Sequence, residues 1–195
     1  MINKLNVLGG FSLSHVILIR GKAGTGKTTL ANALGKKLNI IVLHKDDIYD
    51  TVSNFIKNNA DRNKICFEIL YKLLKSSIVS DVDIVIDFGF NHLDDVEQLK
   101  SWIHQNKGSL KSVLCTCEDF IWAERLNKRK LSPLPNQLIT NIEDLKKHYV
   151  KMRTGVLEGE LVVDTALELD YLVELVANYI TYSNGSNGIT TKILN

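Results

Sequence analysis

Residues Gly21 to Thr28 read GKAGTGKT, the G-x-x-x-x-G-K-[ST] spacing of a phosphate-binding loop (P-loop). Small residues let the backbone curl so that successive N–H groups converge on an anion, and a helix opening at the loop's end adds the positive end of its dipole. Gly21, Gly24 and Gly26 permit the curl, and Lys22, Ala23, Thr25, Lys27, Thr28 and Thr29 complete the expected nucleotide-binding stretch. Lys27 is placed to reach β- and γ-phosphate oxygens, and the Thr28 hydroxyl is the expected magnesium ligand. Such a loop needs a strand before it and a helix after it. The run His15-Val-Ile-Leu-Ile19 supplies the first, and Leu30, Leu34 and Leu38, at helical spacing, mark the second. With both flanks in place a chance glycine-rich turn is a poor explanation, and binding of a nucleoside triphosphate is the first expectation.

Two acidic sites accompany the loop. His44-Lys45-Asp46-Asp47 follows a second apolar run, and open α/β sheets bind ligands beyond the carboxyl ends of their strands. A carboxylate there can accept the proton of an attacking hydroxyl or hold a magnesium-bound water. Its competing use is to cap the next helix. Asp46 is favoured for chemistry and Asp47 is left for the cap, with the choice of base between the two acids open. A third run, Ile84-Val85-Ile86, ends on Asp87, an acid expected beside the metal. Phe88 and Phe90 after it either wall a pocket or pack on the sheet, with packing at least as well supported.

Positive charge is densest in Trp122-Ala-Glu124-Arg125-Leu-Asn-Lys128-Arg129-Lys130. Arg125 and Arg129, four apart on one helix face, suit phosphate oxygens and can supply positive charge as a phosphoryl group leaves. The competing account is a solvated helix with a Glu124–Lys128 pair, worth only about 0.3–0.5 kcal/mol. With a P-loop upstream, the phosphate role is preferred. Pro133 and Pro135 then stop the helix, and a mobile loop is expected there.

The elements that must position these residues follow from periodicity. Strand-like runs at Val16–Arg20, Ile40–Leu43, Asp83–Asp87, Ser112–Cys117 and Leu161–Asp164 alternate with helical patterns, which reads as α/β with a parallel sheet. Asp61 to Val79 carries a wide apolar stripe expected to face the core. A second stripe, Ile142, Leu145, Tyr149 and Met152, opens at Thr140 or Asn141 as cap, and Leu169, Leu172, Val176 and Ile180 mark a last helix. A length of 195 residues with 45% hydrophobic content fits one domain, residues 1–182, with a lid around 122–140 and a polar tail, 183–195, expected to be disordered. A formal charge of +2 is too small to imply nucleic acid or a membrane by itself. Three cysteines, an odd count, are read as free thiols in a reducing cytoplasm, and no apolar stretch is long enough to span a bilayer.

Taken together, GKAGTGKTTLA, HKDD after the second strand, VIDFGF at the third, ERLNKR in the arginine-bearing helix and VVDT before the last helix resemble the small P-loop kinases of the AAA_33 type, with zeta-toxin-like, chloramphenicol phosphotransferase-like and polynucleotide kinase-like members. The resemblance implies a P-loop NTPase fold of the nucleotide-kinase kind: three layers, a five-stranded parallel sheet in the order 2-3-1-4-5, and a lid carrying arginines. It also implies ATP with Mg2+. Carried onto this sequence, Lys27 and Thr28 hold phosphates and metal, Asp46 activates the acceptor hydroxyl, Asp87 is the strand-end acid, Arg125 and Arg129 are lid arginines, and Val163-Asp164-Thr165 borders the adenine. Polynucleotide kinase-like members have an arginine three residues after the first acid, where this chain has Tyr49, so a nucleic-acid 5′-hydroxyl acceptor is disfavoured but stays open.

The expectation is an ATP-dependent phosphotransferase acting on a hydroxyl of a small molecule, with Asp46 as base. The alternatives are a nucleotide-binding protein that acts through a partner and a nucleic-acid 5′-kinase. No pattern names the acceptor, the preference for ATP over GTP or the oligomeric state.

Overall fold

A computed structural model describes residues 14–131 and 141–182. The proline segment around Pro133 and Pro135 and the tail from residue 183 lie outside the described residues. The chain runs β1 (His15–Arg20), α1 (Lys27–Leu38), β2 (Val42–His44), α2 (Lys45–Ser53), α3 (Asn59–Val79), β3 (Ile84–Asp87), α4 (Leu93–Gln105), β4 (Ser109–Thr116), α5 (Asp119–Arg129), α6 (Ile142–Val150), β5 (Leu161–Asp164) and α7 (Leu169–Tyr182). The strands form one parallel sheet in the order β2-β3-β1-β4-β5.

The centre of that sheet is covered on both faces, which is why β1 and β3 read as continuous apolar runs. Val16, Leu18, Ile84 and Ile86 face α3 and α4, while Ile17, Ile19, Val85, Val113 and Val163 face α1 and α7. This is the three-layer arrangement expected from the resemblance. The stripe on α3 is narrower than its sequence implies: Cys66, Leu70, Leu74 and Ile78 are buried at i, i+4 spacing, whereas Leu73 is exposed. Asn58 caps α3 with its side chain, and of the two candidates before α6 it is Asn141 that accepts from Asp144 N–H.

A smaller cluster stands apart from the two main cores. Trp122 and Leu126 of α5 pack with Leu145 and Tyr149 of α6, beside Ala23 of the P-loop. The segment from α6 into β5 then crosses the carboxyl end of the sheet, where Arg153 bonds to Asp94 of α4 and Leu93 N–H donates to Arg153 O.

Candidate active site

The P-loop leaves β1 and enters α1 as its sequence requires. Gly21, Gly24 and Gly26 have φ of 142°, 86° and 86°. At Gly21 the constraint is also steric, since a Cβ would lie 2.4 Å from the Cys115 carbonyl oxygen on the neighbouring strand. Gly26 occupies the cap position of α1 with no side-chain bond, so the loop's own N–H groups open that helix. Lys27 Nζ donates to Lys22 O at 3.0 Å, folded back along the loop.

Parallel pairing brings the acids to this loop. The register sets Asp87 opposite Ile19 of β1 on one side and His44 of β2 on the other. Asp87 is only 7% exposed, and its Oδ2 accepts from Thr28 Oγ1 at 2.6 Å and meets His44 Nδ1 at 3.1 Å. Burial alone would raise the Asp87 carboxyl. The His44 hydrogen bond, the Lys27 ammonium and the Thr28 hydroxyl outweigh it and hold the group below the usual carboxylate range. His44 Nε2 meets Asn32 Oδ1 at 2.9 Å, so both ring nitrogens face acceptors, an arrangement that suits imidazolium; the Asp87 bond raises the His44 pKa despite burial.

Asp46 and Asp47 lie in the first turn of α2, and neither caps it: the cap position is His44, without a side-chain bond. The expectation that Asp47 serves as cap is therefore corrected. The chain passes from β2 into α2 with no intervening residue, which leaves the strand's last residue as the cap. Asp46 opens to solvent at the crevice, yet the protein around it removes enough water to push its carboxyl upward, the Asp87 carboxylate pushes the same way, and Lys27 opposes both. Lys45 holds its ammonium 5.4 Å from the Phe67 ring centre, and desolvation lowers its pKa. Phe88 and Phe90 are buried and pack against Phe67, so they belong to the core and do not wall a pocket.

On the opposite side of the loop lies a cavity of about 310 Å³ lined by Gly24, Gly26, Thr29, Leu30, Arg125, Lys128, Arg129, Thr165, Leu167, Leu169 and Leu172. Arg125 is fixed there: its two terminal nitrogens donate to Thr165 Oγ1 and Thr165 O, each at 2.8 Å. Arg129 lines the same wall one turn further along α5. The exposed Glu124–Lys128 pair expected of a solvated helix also forms, at 2.8 Å, without removing either arginine from the cavity. Lys27, Thr28, Asp46 and Asp87 thus gather on one side of the loop, and Arg125, Arg129 and Thr29 on the other.

Several residues at or near the site have partners that the sequence reading did not foresee. His44 stood in a quoted motif, but only strand register reveals it as Asp87's partner. Tyr49 is buried, with its hydroxyl donating to Asn59 Oδ1 at 3.1 Å and the Arg62 guanidinium carbon 5.5 Å from its ring centre. Arg20, 1% exposed at the end of β1, forms a two-point pair with Glu160, 2.6 Å at each contact, and donates to Gly155 O at 2.7 Å.

The donor set is of the type that hard divalent cations take. The Thr28 hydroxyl and Asp87 carboxylate are hard oxygen groups within 2.6 Å of each other, a pair that fits magnesium, whose remaining ligands are commonly phosphate oxygens and water.

Comparisons with known proteins agree with this architecture. No curated protein matches the sequence significantly. Among solved structures, a Chloroflexus aurantiacus protein provisionally assigned as a kinase matches with a TM-score of 0.69 at 19% identity, covering 88% of this chain and 98% of that one. The APS kinase of Mycobacterium tuberculosis, solved with AMPPNP and APS, matches with a TM-score of 0.60 at 14% identity over 86% of this chain and 97% of its own. Shikimate kinase from Acinetobacter baumannii, solved with shikimate, gives a TM-score of 0.59 at 18% identity over 87% and 93%. These likenesses establish the shared P-loop kinase fold. The sequence profile of the AAA_33 family, an AAA domain, matches residues 16–145, from the first strand through the P-loop and both acidic sites to the arginine helix and beyond, and the chain belongs to that family.

Proposed function

We propose that this protein is an ATP-dependent phosphotransferase that moves the γ-phosphoryl group to a hydroxyl of a small molecule. The observation that carries the reading is the division of groups about the P-loop: Lys27, Thr28 and Asp87 bonded or electrostatically coupled on the crevice side with Asp46 beside them, and a cavity of nucleoside size on the other. The base and ribose occupy the cavity bounded by Leu30, Leu167, Leu169 and Leu172. The triphosphate then runs over Gly24 and Gly26 toward Lys27, with Arg125 bracing the wall at Thr165 and Arg129 adding positive charge. Thr28 and Asp87 would hold magnesium, which would supply neutralising charge at the phosphate oxygens.

On the crevice side Asp46 accepts the proton of the acceptor hydroxyl as its oxygen bonds to the γ-phosphorus and the bond to the bridging oxygen breaks, releasing ADP. Much of the rate then comes from positioning and charge neutralisation rather than from the strength of the base. Three of the folds this one resembles belong to APS, shikimate and gluconate kinases, which supports a small-molecule acceptor. A nucleic-acid acceptor lacks that support, and Tyr49, in the place of the arginine of polynucleotide kinase-like members, is turned into the core.

The test is ATP consumption with magnesium across sugars, sugar acids, nucleosides, hydroxylated antibiotics and 5′-hydroxyl oligonucleotides. One strong small-molecule acceptor is expected, with Lys27→Ala losing ATP binding and Asp46→Asn retaining it while losing on the order of 10²–10⁴-fold in turnover. Full-strength ATP binding by Lys27→Ala sinks the P-loop assignment, and undiminished turnover by Asp46→Asn sinks the choice of base.

A further inference from the structure

Ala23, at the outer bend of the P-loop, has both of its backbone polar groups taken by side chains from distant helices. Its N–H donates to the Tyr149 hydroxyl at 2.8 Å, and its carbonyl accepts from Trp122 Nε1 at 2.6 Å. Trp122 belongs to α5 and Tyr149 to α6, the two helices on either side of the proline segment. The rings are 2% and 7% exposed, with centres 6.3 Å apart, and the Lys22 ammonium lies 5.0 Å from the first and 5.7 Å from the second.

Ordinary packing does not require this arrangement. A buried indole or phenol satisfies its polar atom with any nearby partner. Here two helices commit those atoms to the donor and the acceptor of one residue, inside the loop that must hold phosphate. The approach is also close: a Cβ on Gly24 would lie 3.2 Å from Leu126 Cδ2 and 3.3 Å from Trp122 Nε1. A separate tie fixes the loop from its other flank, because the Thr165 hydroxyl that receives Arg125 lies 2.8 Å from Thr25 O. Since Trp122, Leu126, Leu145 and Tyr149 form a cluster apart from the two main cores, the bonds to Ala23, together with those from Arg125 to Thr165, attach α5 and α6 to the rest of the chain.

We infer that Trp122 and Tyr149 are positioning residues that hold the P-loop in its phosphate-receiving curve through Ala23, so that nucleotide binding and the seating of α5 and α6 are a single coupled event. The inference rests on the proposed nucleotide site and adds to it a dependence that runs both ways. A helix pair that stabilises the loop's bound shape raises nucleotide affinity, and by linkage the nucleotide must tighten the helix pair.

The experiment uses the full chain and ATP or a non-hydrolysable analogue with magnesium. The chain has two tryptophans; Trp102 lies on α4 against Tyr71, away from the loop, so Trp102→Phe leaves Trp122 as sole indole reporter. In that variant a saturable change in indole emission is expected on nucleotide addition. Tyr149→Phe keeps the ring and removes the hydroxyl. It is expected to weaken nucleotide affinity about fivefold to tenfold, the size of one lost hydrogen bond, with the acceptor KM unchanged. Hydrogen exchange on the unsubstituted chain, which needs no variant to fold, is expected to slow in α5 and α6 when nucleotide is added. Nucleotide affinity within twofold in a folded Tyr149→Phe overturns the inference and leaves the phosphotransferase reading intact, as does silent emission from a Trp102→Phe protein that binds ATP, or unchanged exchange in both helices. Absence of ATP binding by the unsubstituted chain removes both.

Discussion

At Asp46 two opposing demands meet in one carboxyl group. A base must be ionised to take a proton, yet it gains driving force as its pKa rises toward the working pH. Partial dehydration and the Asp87 carboxylate raise Asp46, while Lys27 restrains the rise. Asp87, by contrast, is held ionised by His44, Lys27 and Thr28 in spite of its burial. The two acids are thus driven apart, as happens where one site needs two carboxylates in different states, and the proposed reading gives Asp46 the proton and Asp87 the metal. The sign of the resulting pH dependence is fixed. If Asp46 is the base, as proposed, it works ionised, and since its folded pKa lies above the free value, turnover should fall as pH is lowered, starting at a higher pH than a free aspartate, near 3.9, would give. A pH–rate profile of kcat/KM with the best acceptor checks this. Asp46→Asn should lose that acid limb along with most of its rate, and an unchanged limb in the variant would assign it to another group.

At the scale of elements, the segment between α6 and β5 is fixed by charge rather than by an apolar stripe. Arg20 and Glu160 meet across 140 residues of sequence, and Glu160 also accepts from Ser112 Oγ and from Leu157 N–H. With side chains 2% and 0% exposed, the pair is satisfied as a unit, and removing one partner strands the other in the interior. Glu160→Gln should therefore cost about 3–5 kcal/mol in chemical denaturation, whereas replacing both residues by apolar ones of similar volume, Arg20→Met with Glu160→Leu, should recover most of that loss. A loss below about 1 kcal/mol in the single variant would mean that water reaches Arg20. This element also marks a limit of sequence reading. The strands β1, β3 and β5 and the helices α1, α3 and α7 were legible because apolar periodicity is local, and the P-loop because its eight residues are contiguous. A pair separated by 140 positions leaves no local trace. Tyr149 and Trp122 were hidden differently, since each occupies a core-like position in its helix and only the fold turns its polar atom toward Ala23.

For the whole molecule, the proposed reading makes nucleotide binding a matter of global stability, because the groups it engages come from nearly every part of the chain: the loop after β1, the end of β3, α2, α5 and the turn after β5. The sheet order that assembles them followed from the resemblance of the motifs, and the residues within the crevice became specific only through strand register, as with His44 beside Asp87. A ligand that binds the folded chain alone stabilises it by mass action, about 2.7 kcal/mol at a free concentration of 100 times Kd. For a chain of 195 residues, at about 2–4 °C per kcal/mol, this predicts a rise of about 5–11 °C in Tm with saturating ATP and magnesium. Lys27→Ala should abolish the rise. Thr28→Ala and Asp87→Asn should retain part of the ATP effect but lose the increment that magnesium adds, since those residues supply the proposed metal ligands. The same measurement separates the acceptor classes: a small acceptor should add its own increment on top of a non-hydrolysable ATP analogue, independent of moderate salt, whereas an increment from a 5′-hydroxyl oligonucleotide that fades steeply between 50 and 200 mM salt would mark phosphate-backbone binding and move the assignment to nucleic acid. A flat Tm with every nucleoside triphosphate, magnesium present, would remove the phosphotransferase reading altogether.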